Sequence, residues 1–123
     1  MSNSPKFQSG QIVSLDYSNQ HLYAEVIETV VSRQLCWVRP LLLVNSREEL
    51  PLIIDVRDVS DLLWPLELFR AALDTEVIAF LEQIFPKDIK SEADLVAKQQ
   101  FNSFIHQLWE AYQNKTVLTH RFD

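Results

Sequence analysis

Leu22-Tyr23-Ala24-Glu25-Val26-Ile27-Glu28-Thr29-Val30-Val31, then Ser32-Arg33-Gln34, then Leu35-Cys36-Trp37-Val38-Arg39-Pro40-Leu41-Leu42-Leu43-Val44: this run decides the fold. Val26, Ile27, Thr29, Val30 and Val31 are β-branched and stiff at χ1, and Tyr23 and Trp37 add aromatic rings, so both arms suit a pleated, half-buried surface. The polar triplet between them reads as the turn of a long hairpin. Alternation along the first arm is imperfect, with Tyr23, Ile27 and Val31 on one parity and Leu22, Ala24, Val26 and Val30 on the other. Apolar residues on both parities imply a ribbon covered on both sides, or a bulge that shifts the phase part-way. Pro40 has no N–H for a ladder and marks an edge or a bulge in the second arm.

Further strands are expected on either side of the hairpin. Gly10 precedes Gln11–Asp16, where Ile12, Val13 and Leu15 form a first strand; a glycine there suits a turn with positive φ. Tyr17–His21 is a loop by composition. After the polar connection Asn45–Leu50, which carries Arg47 and Glu48, the segment Pro51–Val56 supplies a fourth strand. Asp58, Ser60 and Asp61 suit a turn. Leu62-Leu63-Trp64 is a fifth strand or a single helical turn.

From Pro65 the period becomes helical. Pro65 suits the first position of a helix with Leu66, Phe69 and Leu73 on one face. Asp74 caps a second helix, with Glu76 in its first turn, a stripe of Val77, Ile78, Leu81, Ile84 and Phe85, and Pro86 as its stop. Ser91-x-x-Asp94 opens a third as a capping-box variant. Phe101, Phe104, Ile105, Leu108, Trp109 and Tyr112 give that helix an apolar face that must cover the strands, the other helices or a second subunit. Asn114 ends it, and 115–123 is a tail with Val117 and Leu118 as anchors. The expected architecture is α+β in one domain, residues 1–123: a small five-stranded β-barrel over 7–64, about three helices over 65–114, and the tail.

Composition narrows the function. The chain has 123 residues, formal net charge −6, one glycine and one cysteine. Excess negative charge opposes phosphate neutralisation and an anionic membrane surface, so neither a nucleic acid nor a membrane is an expected partner. No apolar run reaches the roughly 20 residues that span a bilayer, and Met1 is followed by polar residues, so a cytoplasmic location is expected. A single glycine excludes glycine-rich phosphate loops, dinucleotide fingerprints and the Gly-x-Ser-x-Gly nucleophile elbow. Cys36 cannot form an intrachain disulfide and lies in a strand pattern, as a buried thiol. Its pairing with His21, His106 or His120 would make a nucleophile and base, but the three histidines are dispersed and no paired metal-ligand spacing occurs. No cofactor, metal or catalytic residue is assigned. The recurrence of Asp55, Asp58 and Asp61 around Arg57 suits turn capping and an ion pair, or alternatively a hard-cation or acid/base cluster.

The pieces Gly10-Gln11-Ile12-Val13, Tyr23–Val31, Cys36-Trp37-Val38-Arg39-Pro40 and Leu62–Pro65 resemble a Src-homology-3 (SH3)-like barrel over the first half of the chain. The runs Asp61–Pro65 and Leu73–Val77 are similar to small uncharacterised proteins of cyanobacteria, a resemblance that brings no activity with it. Signalling barrels of the SH3 class hold proline-rich peptides through an Ala-Leu-Tyr-Asp-Tyr motif. Here Val13-Ser14-Leu15-Asp16-Tyr17 keeps only the last two residues, so that activity does not carry over. Barrels of this shape in ribosomal proteins bind RNA, which the acidic balance opposes.

What remains is a non-enzymatic interaction or adaptor module that docks another protein or itself. Tyr17, Tyr23, Trp37, Arg39 and Trp64 are the expected partner-binding residues, an aromatic and arginine set of the kind enriched in binding hot spots. Phe101, Phe104, Trp109 and Tyr112 are the expected oligomer face, for a homodimer. The alternatives are a small metal-dependent enzyme or factor using Asp55, Asp58 and Asp61, and an RNA-binding barrel.

Overall fold

The long hairpin forms as a twisted ribbon with two irregularities, and the other elements are placed by it. In the computed structural model, residues 7–46, 49, 51–84 and 91–121 are described, with side chains except at 74, 81, 83, 84, 91–94 and 115–121. Strands β1 (Ile12–Tyr17), β2 (Gln20–Val30), β3 (Leu35–Asn45), β4 (Leu52–Asp55), β5 (Leu62–Pro65) and β6 (Phe69–Ala71) are followed by helices α1 (Asp74–Ile84) and α2 (Ser91–Arg121). The strands form one antiparallel sheet in the order β4-β3-β2-β1-β6. β5 shares an edge of β3 with β4: β4 pairs Leu42–Asn45 and β5 pairs Leu35–Val38.

This corrects the expected architecture. The sheet is open, not a closed five-stranded barrel, and two helices follow it, not three. The helix expected from Pro65 is absent: Pro65 closes β5, a single 3-10 turn covers Leu66–Leu68, and Phe69–Ala71 pairs with β1 as β6. The spacing of Leu66, Phe69 and Leu73 imitated a helical stripe, but the turn and short strand bury Leu66 and Phe69 against the sheet. α2 runs past Asn114 to Arg121, so the expected tail is helical there. Arg47, Glu48, Phe85 and Pro86, the capping side chains Asp74, Ser91 and Asp94, and the anchoring side chains Val117 and Leu118 lie outside the described residues or side chains.

Two shifts in the β2–β3 register explain the imperfect alternation. One lies between Tyr23 and Ala24, where Leu41 is the extra residue on β3; the other lies between Val26 and Glu28, where Ile27 is extra on β2. Pro40 pairs with Ala24 beside the first shift, where the ladder is interrupted and its missing N–H costs little. The hairpin turns through Val31–Arg33, with Gln34 in the left-handed region at φ 56°. Gly10 takes φ +89°, the conformation expected of a glycine before the first strand.

Both faces of the sheet are packed, by different helices. On the first face Val13, Leu15, Leu22, Ala24, Val26, Cys36, Val38 and Leu43 meet Ala97, Phe101, Phe104 and Leu108 of α2. Phe104 is 1% exposed, the largest of the fully buried side chains. On the second face Tyr23, Leu42 and Val44 form a smaller cluster with Val77 of α1, and Phe80 lies beside it. Among the described residues no helix is long and apolar enough to cross a membrane.

Candidate functional site

α1 is short, and its cluster gathers at the β4 end of the second face. The β5 end of that face keeps its apolar side chains in water. There Trp37 of β3 stands opposite Leu63 of β5, and the two are 39% and 54% exposed. Strand alternation forces this: Trp64 and Leu62 turn to the first face, so Leu63 must turn to the second. Val31, at the tip of the hairpin, is 58% exposed. Trp37, Asp61, Leu62 and Leu63 line an open depression of about 360 Å³.

The indole is held in place although it is half in water. Its Nε1–H donates to Oδ2 of Asp61 at 3.0 Å, and Nε of Arg39 approaches Oδ1 of the same carboxylate at 3.5 Å. Asp61 thus fixes both the ring and the guanidinium from one loop position. The bulge at Ile27 sets which residue of β2 stands beside Trp37. With unbroken alternation Ile27 would oppose Trp37; the extra residue brings Glu28 there instead, and Glu25 stands opposite Arg39.

The expected partner-binding residues are therefore divided. Trp37 and Arg39 share this patch. Tyr23 lies on the same face but beneath α1, its ring 6.1 Å from that of Phe80. Tyr17 and Trp64 pack on the opposite face with the first cluster. The Trp64 ring packs against Trp109 with centroids 5.1 Å apart and planes tilted by 44°, Trp109 lies 5.5 Å from Tyr112, and the Tyr112 hydroxyl donates to Oε1 of Glu67 at 2.7 Å. The carboxylate raises the Tyr112 phenol pKa, with burial adding to it. Phe101, Phe104, Trp109 and Tyr112, expected as an oligomer face, all point toward the sheet or its β5–β6 connection within the one chain.

Asp55 and Asp58 both act on Arg57, whereas Asp61 binds Trp37 and Arg39. Asp55 grips Arg57 through both oxygens, at 3.0 and 2.8 Å, and accepts the Arg57 backbone N–H at 3.0 Å, while Asp61 faces Trp37. Among the described residues no group of three or more His, Cys, Asp or Glu could hold a metal ion. Cys36 is buried, and desolvation pushes its thiol pKa up despite a hydrogen bond with Thr29, so it is a poor thiolate.

A second polar constellation has no counterpart in the sequence reading. Asp16 at the end of β1 accepts from the Ser14 hydroxyl at 2.6 Å, meets His21 Nδ1 at 2.7 Å and receives Arg70 Nε at 2.5 Å. Arg70 reaches Glu76 at 3.3 Å, and Glu76 accepts from the Tyr23 hydroxyl at 2.7 Å and from the Leu73 backbone N–H at 2.8 Å. Burial pushes the Asp16 carboxyl up, but the bonds from Arg70, Ser14 and His21 outweigh it and hold it below the ordinary range. Burial likewise raises Glu76, and Leu73, Tyr23 and Arg70 reverse it. Burial and the Glu76 carboxylate push the Tyr23 phenol up to about 12. The oxygens and donors here satisfy one another, so the chain of bonds clamps β1, β2, β6 and α1 together. Among the described residues no hydroxyl is aligned on an imidazole: Ser14 bonds to Asp16, not to His21. Residues 16, 21, 70 and 76 are too scattered for any spacing to reveal them.

Comparison of the chain with protein-family models, with curated proteins and with solved structures found no match.

Proposed function

We propose that the chain is a non-enzymatic protein-interaction module whose docking face is the β5 end of the second sheet face. The observation that carries this reading is Trp37: a half-exposed indole fixed by Asp61, beside the exposed Leu63, at an open depression. A large aromatic already locked in one orientation loses little conformational freedom when a partner covers it, which is why such residues dominate binding energy. α1 covers the cluster at the β4 end of that face, so the patch is bounded on that side. The outer edge of β5 ends in Pro65, which has no N–H to offer another strand, and this favours side-chain docking over strand addition.

The buried thiol, the engagement of Asp55 and Asp58 with Arg57 and of Asp61 with Trp37 and Arg39, and the mutual satisfaction of the Asp16–Glu76 network favour this reading over hydrolytic or metal-dependent chemistry. Immobilised wild-type chain, Trp37→Ala and Leu63→Asp, with Leu95→Asp on the exposed side of α2 as control, would be used to capture proteins from native lysate. A protein held by wild type and control, lost from both patch variants, and binding the purified wild-type chain directly is the expected result. Identical capture by all four folded proteins would contradict the proposal.

A further inference from the structure

Resting on that docking face, we infer that its partner is a basic protein segment, an apolar anchor residue flanked by lysine or arginine. The inference comes from the charges framing Trp37. Glu28 stands directly across the ladder from it, and directly opposed residues carry their Cβ atoms about 5 Å apart on one face. Glu25, one step along the same face, stands across from Arg39. Among the described residues neither Glu25 nor Glu28 forms an ion pair, whereas Arg39 is drawn to the opposite side by Asp61. Beside the depression lined by Trp37, Asp61, Leu62 and Leu63, this face thus carries a carboxylate–guanidinium pair toward β5 and two carboxylates on β2 that form no ion pair among the described residues. Arg33 at the hairpin tip is the other cation close in the chain, and it does not cancel the excess. The chain as a whole carries −6, so long-range attraction has the same sign as the local one. A second copy of this chain would bring like charge to the patch, and an RNA or an anionic membrane would meet the same carboxylates.

The bulge gives the arrangement its specificity. Unbroken alternation would place the apolar Ile27 across from Trp37; the added residue substitutes a carboxylate at that spot. An apolar contact flanked on its β2 side by Glu25 and Glu28 discriminates among apolar partners by the charge beside the anchor.

The test is selection from a phage library of random 12-residue peptides on the full-length chain, with binding of synthetic selected peptides then measured at 0.05 and 0.5 M NaCl. The expected peptides carry an apolar residue flanked by Lys or Arg. Their affinity falls at least tenfold in Trp37→Ala or Leu63→Asp. It falls roughly fivefold to tenfold in Glu25→Gln/Glu28→Gln, the sum of two modest exposed ion pairs, with a comparable loss at high salt. Peptides that need Trp37 and Leu63 but show no basic bias, and bind Glu25→Gln/Glu28→Gln unchanged, would overturn the inference and leave the docking face standing. Selection yielding no peptide sensitive to Trp37 or Leu63 would remove both. Dimerisation of wild type by sedimentation, lost in Glu28→Gln or Trp37→Ala, would assign the face to a second copy and overturn the basic partner.

Discussion

Replacing Asp16 by alanine severs the polar clamp at its centre, and the cost follows from what is left behind. Ser14 is wholly buried, and its hydroxyl donates to Asp16. Without that acceptor the hydroxyl keeps its desolvation penalty unrelieved, about 1–3 kcal/mol. The ion pair to Arg70 is more modest, because the guanidinium is nearly half exposed, and adds about 0.5–1 kcal/mol after screening. Asp16→Ala should therefore lose about 2–3 kcal/mol by urea unfolding at pH 7, with an unchanged m-value. Two refinements separate this from generic damage. In a Ser14→Ala background no hydroxyl is orphaned, so Asp16→Ala should cost about 1 kcal/mol or less, a coupling readable in a double-mutant cycle. The folded-state pKa of Asp16 is depressed, so its contribution is full above the unfolded value of 3.8 and is lost as pH falls through the lower folded value. The gap between wild type and Asp16→Ala should accordingly narrow as pH drops from 5 to 2.5. Glu76, also depressed, keeps its bonds from Leu73 and Tyr23 in both proteins, so most of its own pH dependence is common to the two. A loss below 0.5 kcal/mol at pH 7, or a gap independent of both Ser14 and pH, would refute the reasoning.

Three further outcomes follow from the packing. Phe104→Ala empties the centre of the contact between α2 and the sheet and should cost about 3–5 kcal/mol, leaving the protein partly unfolded at 37 °C by circular dichroism. Tyr23 has a raised phenol pKa, so its stabilising effect is complete below the unfolded value of 10.0 and fades as pH climbs toward 12; Tyr23→Phe should lose about 1–2 kcal/mol at pH 7 and shift less than wild type between pH 9.5 and 11.5 by thermal denaturation. Trp64→Ala removes the partly buried ring against which Trp109 packs and should cost up to about 3 kcal/mol while abolishing the near-ultraviolet dichroism of the coupled indoles.

The sheet was legible where side-chain type and alternation speak together. The β-branched run Val26–Val31 marked the hairpin, its double parity announced coverage on both faces, and Pro40 pointed to the irregular pairing beside Ala24. Phe101, Phe104 and Leu108 were readable as a covering face because apolar residues kept at helical spacing over several turns must lie along one side of a helix. What failed is physically local. Phe69–Ala71 is too short for any period to register, and Leu66, Phe69 and Leu73 happen to repeat at helical intervals across a turn and a strand. Barrel closure or its absence depends on where β5 and β6 pair, which local sequence does not encode. The docking patch was half legible: Trp37 and Arg39 were marked by type, whereas Leu63, Asp61 and the carboxylates on β2 depend on a bulge at Ile27 and a strand register. The Asp16–Arg70–Glu76 network joins residues more than fifty positions apart and could be seen only once β6 lay beside β1.

Everything proposed about function needs the second face of the sheet to be bare at Trp37 and the first face to be partly covered at Trp64 and Trp109, which pack against each other. Acrylamide quenching of tryptophan fluorescence, compared across wild type, Trp37→Phe, Trp64→Phe and Trp109→Phe, measures this directly. One readily quenched fluorophore that disappears in Trp37→Phe and persists in the other two is the expected result. A quenchable signal that survives Trp37→Phe and is lost in Trp64→Phe or Trp109→Phe would contradict it.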